Sequence, residues 1–140
     1  EELAAKYSSA GNMQIDPLIN TTQSLLDADI MISEWSGAAL DYAFARLRPV
    51  LFIDTPPKVH NPEHDKLKLP YLEEEIRGQI GRILPPDRIQ EVPGVVADLI
   101  AHADDWQERI RAARGATVYN VGHSGEAGAD AILESLSALG

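Results

Sequence analysis

Val50-Leu51-Phe52-Ile53 is an unbroken run of four large apolar residues, bounded by Pro49 and Asp54. It is too short for a helix and reads as a strand. Successive strand side chains point to opposite faces, so a strand apolar at every position needs cover on both. That requirement points to an α/β protein, in which helices flank a largely parallel sheet.

The residues before this run fit the same plan. Residues 30–33 form a brief apolar segment that reads as a second buried strand, and 34–36 read as a turn. Residues 37–47 are rich in Ala and Leu and favour a helix, with Leu40, Phe44 and Leu47 on one face. Arg46 and Arg48 suit its carboxyl end, and Pro49 is expected to stop it. Strand, turn, helix and strand make a βαβ unit.

The flanks add further elements. Residues 1–9 read as a helix end, closed by Gly11 and Asn12 as a left-handed stop. Residues 13–15 read as a very short strand. Asn20, Thr21 and Thr22 are cap-type residues for a short helix ending near Ala28. Residues 55–70 carry four prolines and several charges and read as a long exposed loop, whose length points to function or mobility. Beyond it, helices are expected over 73–80 with Gly81 as the stop, over 92–103 with Pro93 in the first turn, from the cap pair Asp104 and Asp105 to Arg114, and over 125–139 behind Ser124. A short strand is expected at Ile83. The 140 residues match one domain, 1–140. The opening at Glu1, directly into a helix-like stretch, reads as a segment of a longer protein.

Charge and composition narrow the function. A net charge of −10 disfavours broad contact with nucleic acid or anionic lipid, which require a basic surface. The absence of cysteine removes disulfides and thiolate metal sites, and agrees with a reducing compartment. No apolar run approaches the ~20 residues of a membrane span.

The chemistry is expected where the strand at 30–33 gives way to the helix at 37–47. Ligands of open α/β sheets bind beyond the carboxyl ends of the strands. The free amides of Gly37 and Ala38, with the helix dipole, favour an anion such as a pyrophosphate. Ser36 can cap the helix and donate its hydroxyl to a phosphate oxygen, and Gly37 permits close approach. Asp41, one turn further, can accept from ribose hydroxyls. The plainer reading stands beside this one: Ser-Gly is an ordinary helix start, and Asp41 complements the dipole.

The segments 28–37 (Ala-Asp-Ile-Met-Ile-Ser-Glu-Trp-Ser-Gly), 41–44 (Asp-Tyr-Ala-Phe) and 48–52 (Arg-Pro-Val-Leu-Phe) together resemble the carboxy-terminal domain of the CDP-glycerol glycerophosphotransferases. Lys58, Asn61 and Pro62 extend the likeness to residue 62, and it is weaker over 77–81 and 120–129. The resemblance implies a Rossmann-like parallel sheet, the carboxy-terminal domain of a GT-B glycosyltransferase fold. It implies CDP-glycerol or a similar nucleotide-linked donor as substrate, with no cofactor and no metal. It assigns donor contacts to Ser36, Gly37 and Asp41, with Ala38, Lys58 and Arg77 as secondary candidates. It implies a cytoplasmic enzyme, peripheral on the inner face of the plasma membrane through its parent protein. The Arg-Pro-His segment that supplies the family's catalytic histidine, and the acceptor-binding amino-terminal domain, are expected ahead of Glu1. The chain by itself is therefore expected to bind nucleotide without turnover. Two departures, Gly37 in place of a second Ser and Glu34 in place of the commoner Asp, point to a different donor or a non-teichoic polymer. The alternatives are a UDP-sugar 2-epimerase-like enzyme, another GT-B sugar-nucleotide enzyme and a non-catalytic binding module.

Other residues weigh less. His60 and His64 have helical ligand spacing, but Pro62 lies between them, so they read as exposed loop residues. Gly122-His123-Ser124-Gly125 fails the nucleophile-elbow pattern at Glu126 and reads as a helix cap; residues 120–125 are a further candidate anion site at a helix start. Arg77 reads either as a phosphate contact or as a surface ion pair. Trp35 is expected to pack beside the strand end, and Trp106, Ile110 and Val118 to pack in the core or between domains.

Overall fold

The computed structural model describes residues 6–7, 11–16, 22–57, 63, 66 and 71–138. In chain order these give α1 (Thr22–Asp27), β1 (Met31–Ser33), α2 (Gly37–Arg46), β2 (Val50–Ile53), α3 (Leu72–Ile80), β3 (Gly81–Leu84), a 3-10 turn (Pro86–Glu91), α4 (Val92–Ala101), α5 (Ala103–Thr117) and α6 (Ser124–Ala138). The class is α/β: a three-stranded open sheet, all parallel, in the order β1-β2-β3, with helices around it. This arrangement is compatible with a Rossmann-like fold.

β2 lies in the middle of the sheet, as its unbroken apolar run demands. Val50, Leu51 and Phe52 are all buried although they alternate between faces, so both faces are covered. Val50 pairs with Met31 on one side and Gly81 on the other. The core gathers Ala39, Leu40, Tyr42 and Ala43 from α2, Ile76 and Ile80 from α3, and Leu99, Trp106 and Ile110 from α4 and α5. Burying a Leu, Ile or Phe side chain contributes about 1.5–3 kcal/mol, so this cluster dominates the stability of the sheet.

Several expectations need correction. β1 is an edge strand, and Ile32 is 50% exposed, because nothing pairs with its outer side among the described residues. Residues 13–16 form no strand; Met13 and Ile15 are exposed. Gly11 and Asn12 form a turn, but among the described residues the left-handed positions are Leu47, Asn120 and Gly122. Helix α2 ends at Leu47, with φ 53°, before Pro49 can act. The Leu47 amide donates to the Ala43 carbonyl at 2.8 Å, closing the helix. The Arg114 guanidinium adds a bond from α5, donating to the Phe44 carbonyl at 2.8 Å. A leucine in that region costs about 1–2 kcal/mol; its side chain packs against the core, which offsets the strain.

Asp104 and Asp105 lie inside the first turn of α5, whose cap residue is His102. They complement the helix dipole and do not cap. The 3-10 turn has no counterpart among the sequence expectations, and Val118 is exposed where packing is expected. Tyr42 is a buried anchor: its hydroxyl donates to the Ala28 carbonyl at 3.2 Å, tying α2 to the segment entering β1. Burial pushes its phenol above the usual range, against the lowering effect of Arg48 and Arg46. Among the described residues no helix is long and apolar enough to cross a membrane.

Candidate functional site

The site lies where β1 and β2 end together. Their last residues, Ser33 and Ile53, point the chain out of the sheet on the same side because the strands are parallel. Glu34, Trp35 and Ser36 then turn into α2, and Asp54 and Thr55 leave β2 alongside. An open hollow of about 540 Å³ lies between these segments, lined by Ile32, Ser33, Glu34, Trp35, Ser36, Ile53 and Thr55.

Thr55 fixes the two segments against each other. Its carbonyl accepts from the Trp35 indole N–H at 2.6 Å, and its hydroxyl donates to Glu34 Oε2 at 3.1 Å. The Asp54 amide donates to the Leu84 carbonyl at 2.9 Å, which extends the hold to β3. Trp35 thus packs at the strand ends, as its position implied.

Ser36 is extended (φ −155°, ψ 130°), the backbone of a helix cap. Its Oγ accepts from the Ala38 amide at 3.3 Å, and its carbonyl accepts from the Ala39 amide at 3.1 Å. The cap therefore occupies the Ala38 amide, while the Ser36 O–H proton stays available for donation. Gly37 is exposed, and a Cβ there would meet nothing within 4 Å. A phosphate can approach this backbone freely. Glu34 contributes the opposing charge within the same hollow.

Of the sequence candidates, Ser36 lines the hollow, and Gly37 and Ala38 come directly after it at the helix start. Asp41 is exposed one turn along α2 and is not part of the lining. Lys58, with Asn61, Pro62, His60 and His64, lies outside the described residues. Residues 120–125 are exposed and line neither this hollow nor the one beside it. Among the described residues no group of three or more acidic or His side chains could hold a metal ion.

Arg77 corrects the surface-pair expectation, because it is only 5% exposed. Its Nη2 donates to Asp54 Oδ1 at 2.6 Å, and its guanidinium lies 3.8 Å from the centre of the Trp35 ring. It lines a neighbouring hollow of about 450 Å³ with Trp35, Asp54, Thr55, Pro56, Pro57, Tyr71 and Glu74. Trp35 and Thr55 are the wall common to both hollows. Sequence reasoning missed Thr55 and Asp54; the usable signal was their place immediately after the strongest strand, at a sheet's ligand end.

Neither protein-family models, curated proteins nor solved structures give a match to this chain.

Proposed function

We propose that this chain is the nucleotide-donor-binding domain of a GT-B-type glycerophosphotransferase. That enzyme moves glycerol phosphate, or a related unit, from a CDP-linked donor to a cell-wall or capsular polymer. The observation that carries the reading is the opening of α2 at the carboxyl end of β1, exposed and beside a hollow shared with the end of β2. Open α/β sheets bind ligands beyond the carboxyl ends of their strands, and the motif resemblance supplies the donor.

In the transfer, an acceptor hydroxyl oxygen bonds to the glycerol-linked phosphorus. The bond from that phosphorus to the bridging oxygen breaks, and CMP leaves with the electron pair. A base outside this chain takes the acceptor proton. The Gly37 amide and the Ser36 hydroxyl stabilise the charge gathering on the leaving phosphate. Asp41 accepts from the donor's hydroxyl groups. The parent enzyme works on the cytoplasmic face of the plasma membrane.

Gly37 in place of a second serine, with Asp41 outside the lining, favours a second reading: a related enzyme using another sugar nucleotide. Calorimetric titration with CDP-glycerol and with UDP-sugars separates the two. The first reading expects CDP-glycerol binding that weakens about tenfold in Ser36→Ala and in Asp41→Ala, as loss of a charge-assisted hydrogen bond implies. Unchanged curves in both variants would count against it.

A further inference from the structure

We infer that the hollow over Arg77 is a second, separate oxyanion site that takes a phosphate group. Arg77 is 5% exposed, yet among the described residues Nε and Nη1 have no hydrogen-bond partner. Among the described residues only Nη2 is engaged, by one Asp54 oxygen. A guanidinium carries five N–H donors, and each unmet buried donor is costly. A buried arginine held by one carboxylate oxygen therefore has unused binding capacity, in surroundings where a charge-assisted bond is stronger than in water.

The surroundings favour a ligand over a second protein partner. The guanidinium carbon lies 3.8 Å from the centre of the Trp35 ring and 5.5 Å from that of Phe52, so two aromatic rings hold the cation in place. Arg77 forms part of the wall of a hollow of about 450 Å³, so an approach from solvent exists. Asp54 is half-exposed and pairs with Nη2 alone, which leaves the other guanidinium N–H groups unclaimed by the pair. Pro56, Pro57 and Tyr71 give the hollow stiff or aromatic walls. Glu74 lines it too and opposes an anion, which makes it a useful control.

This site does not rest on the nucleotide reading: the helix start at Ser36 and Gly37 borders the other hollow, across Trp35 and Thr55. The test is an NMR titration of the intact protein with inorganic phosphate, and in parallel with glycerol phosphate. The Arg77 Nε–H signal is followed, assigned by its loss in Arg77→Met. Burial protects this proton from exchange. The proposal expects a saturable shift that persists in Ser36→Ala and a phosphate affinity about threefold or more tighter in Glu74→Gln, where one like charge is gone. A response to inorganic phosphate alone marks a free-ion site; a response to glycerol phosphate marks a phosphate-ester site. No saturable shift in the wild type and Glu74→Gln with either probe overturns the proposal. A shift that vanishes in Ser36→Ala also overturns it, because the phosphate would then sit at the helix start.

Discussion

The guanidinium of Arg77 lies over Trp35, 3.8 Å from the ring centre, while its Nη2 donates to Asp54 at 2.6 Å. This contact joins α3 to the β1–α2 turn and to the end of β2, so it braces the wall that the two hollows share. The brace carries an energetic tension: the stack and the ion pair are favourable, but two further nitrogens are buried without partners.

That tension gives the first prediction. Asp54→Asn removes the charged partner of a buried cation and is expected to cost about 2 kcal/mol. Arg77→Met keeps an unbranched apolar side chain against Trp35 and removes the unmet donors, so it should cost about 1 kcal/mol or less. Urea unfolding of the two variants checks the order. A costlier Arg77→Met would mean that the guanidinium is better satisfied than its contacts indicate.

Gly81 of β3 pairs with Val50 of β2. A Cβ there would lie 1.9 Å from the Val50 carbonyl oxygen and 2.8 Å from its carbon. Both are backbone atoms of the central strand, which cannot yield without breaking the ladder. Gly81→Ala should therefore destabilise by about 3 kcal/mol or more, as severe overpacking does. Thermal denaturation followed by circular dichroism measures it; a melting temperature within a degree or so of wild type would contradict the packing.

Tyr42 sets an alkaline limit. Burial raises its phenol above the ordinary value of 10.0, so the folded protein resists ionisation that the unfolded chain accepts. The unfolded state then binds fewer protons above that value, and stability falls as pH rises towards the folded phenol's own pKa. The contribution is complete below the unfolded pKa. Tyr42→Phe should cost about 1 kcal/mol near neutrality, through the lost bond to Ala28. It should also flatten the decline as pH rises above about 10. Unfolding midpoints across that range, wild type against variant, decide it; parallel slopes would contradict the assignment.

Much of this sheet was legible in the sequence because β2 speaks for itself: four apolar residues in a row admit little besides a central strand. The helix after Ser36 was legible from its cap and its Ala-rich face. The strand at Ile83 was legible from its place before Pro85 and Pro86. What failed depended on contacts between distant segments. Ile32 looks as buried as Leu51 in a short window, and only strand order makes it an edge residue. Met13 to Ile15 has strand-like residues but no strand beside it to pair with among the described residues. Leu47 takes a left-handed conformation that its side chain disfavours, because the core holds it there. Arg77 looks like any helix-surface arginine; its burial arises from Trp35 and Asp54, 42 and 23 residues away in the chain. At the site, Ser36 and Gly37 were readable as a helix start. Thr55, which locks the two walls together, carries no motif, and only its position two residues past the end of β2 marks it.

The proposed function requires a nucleotide's phosphate to sit at the opening of α2. A crystal structure of the protein soaked with a cytidine nucleotide decides the matter most directly. A phosphate oxygen is expected about 3 Å from the Gly37 amide and the Ser36 hydroxyl, inside the hollow that Thr55 walls. Nucleotide density seated anywhere else, with the first turn of α2 untouched, would overturn the assignment.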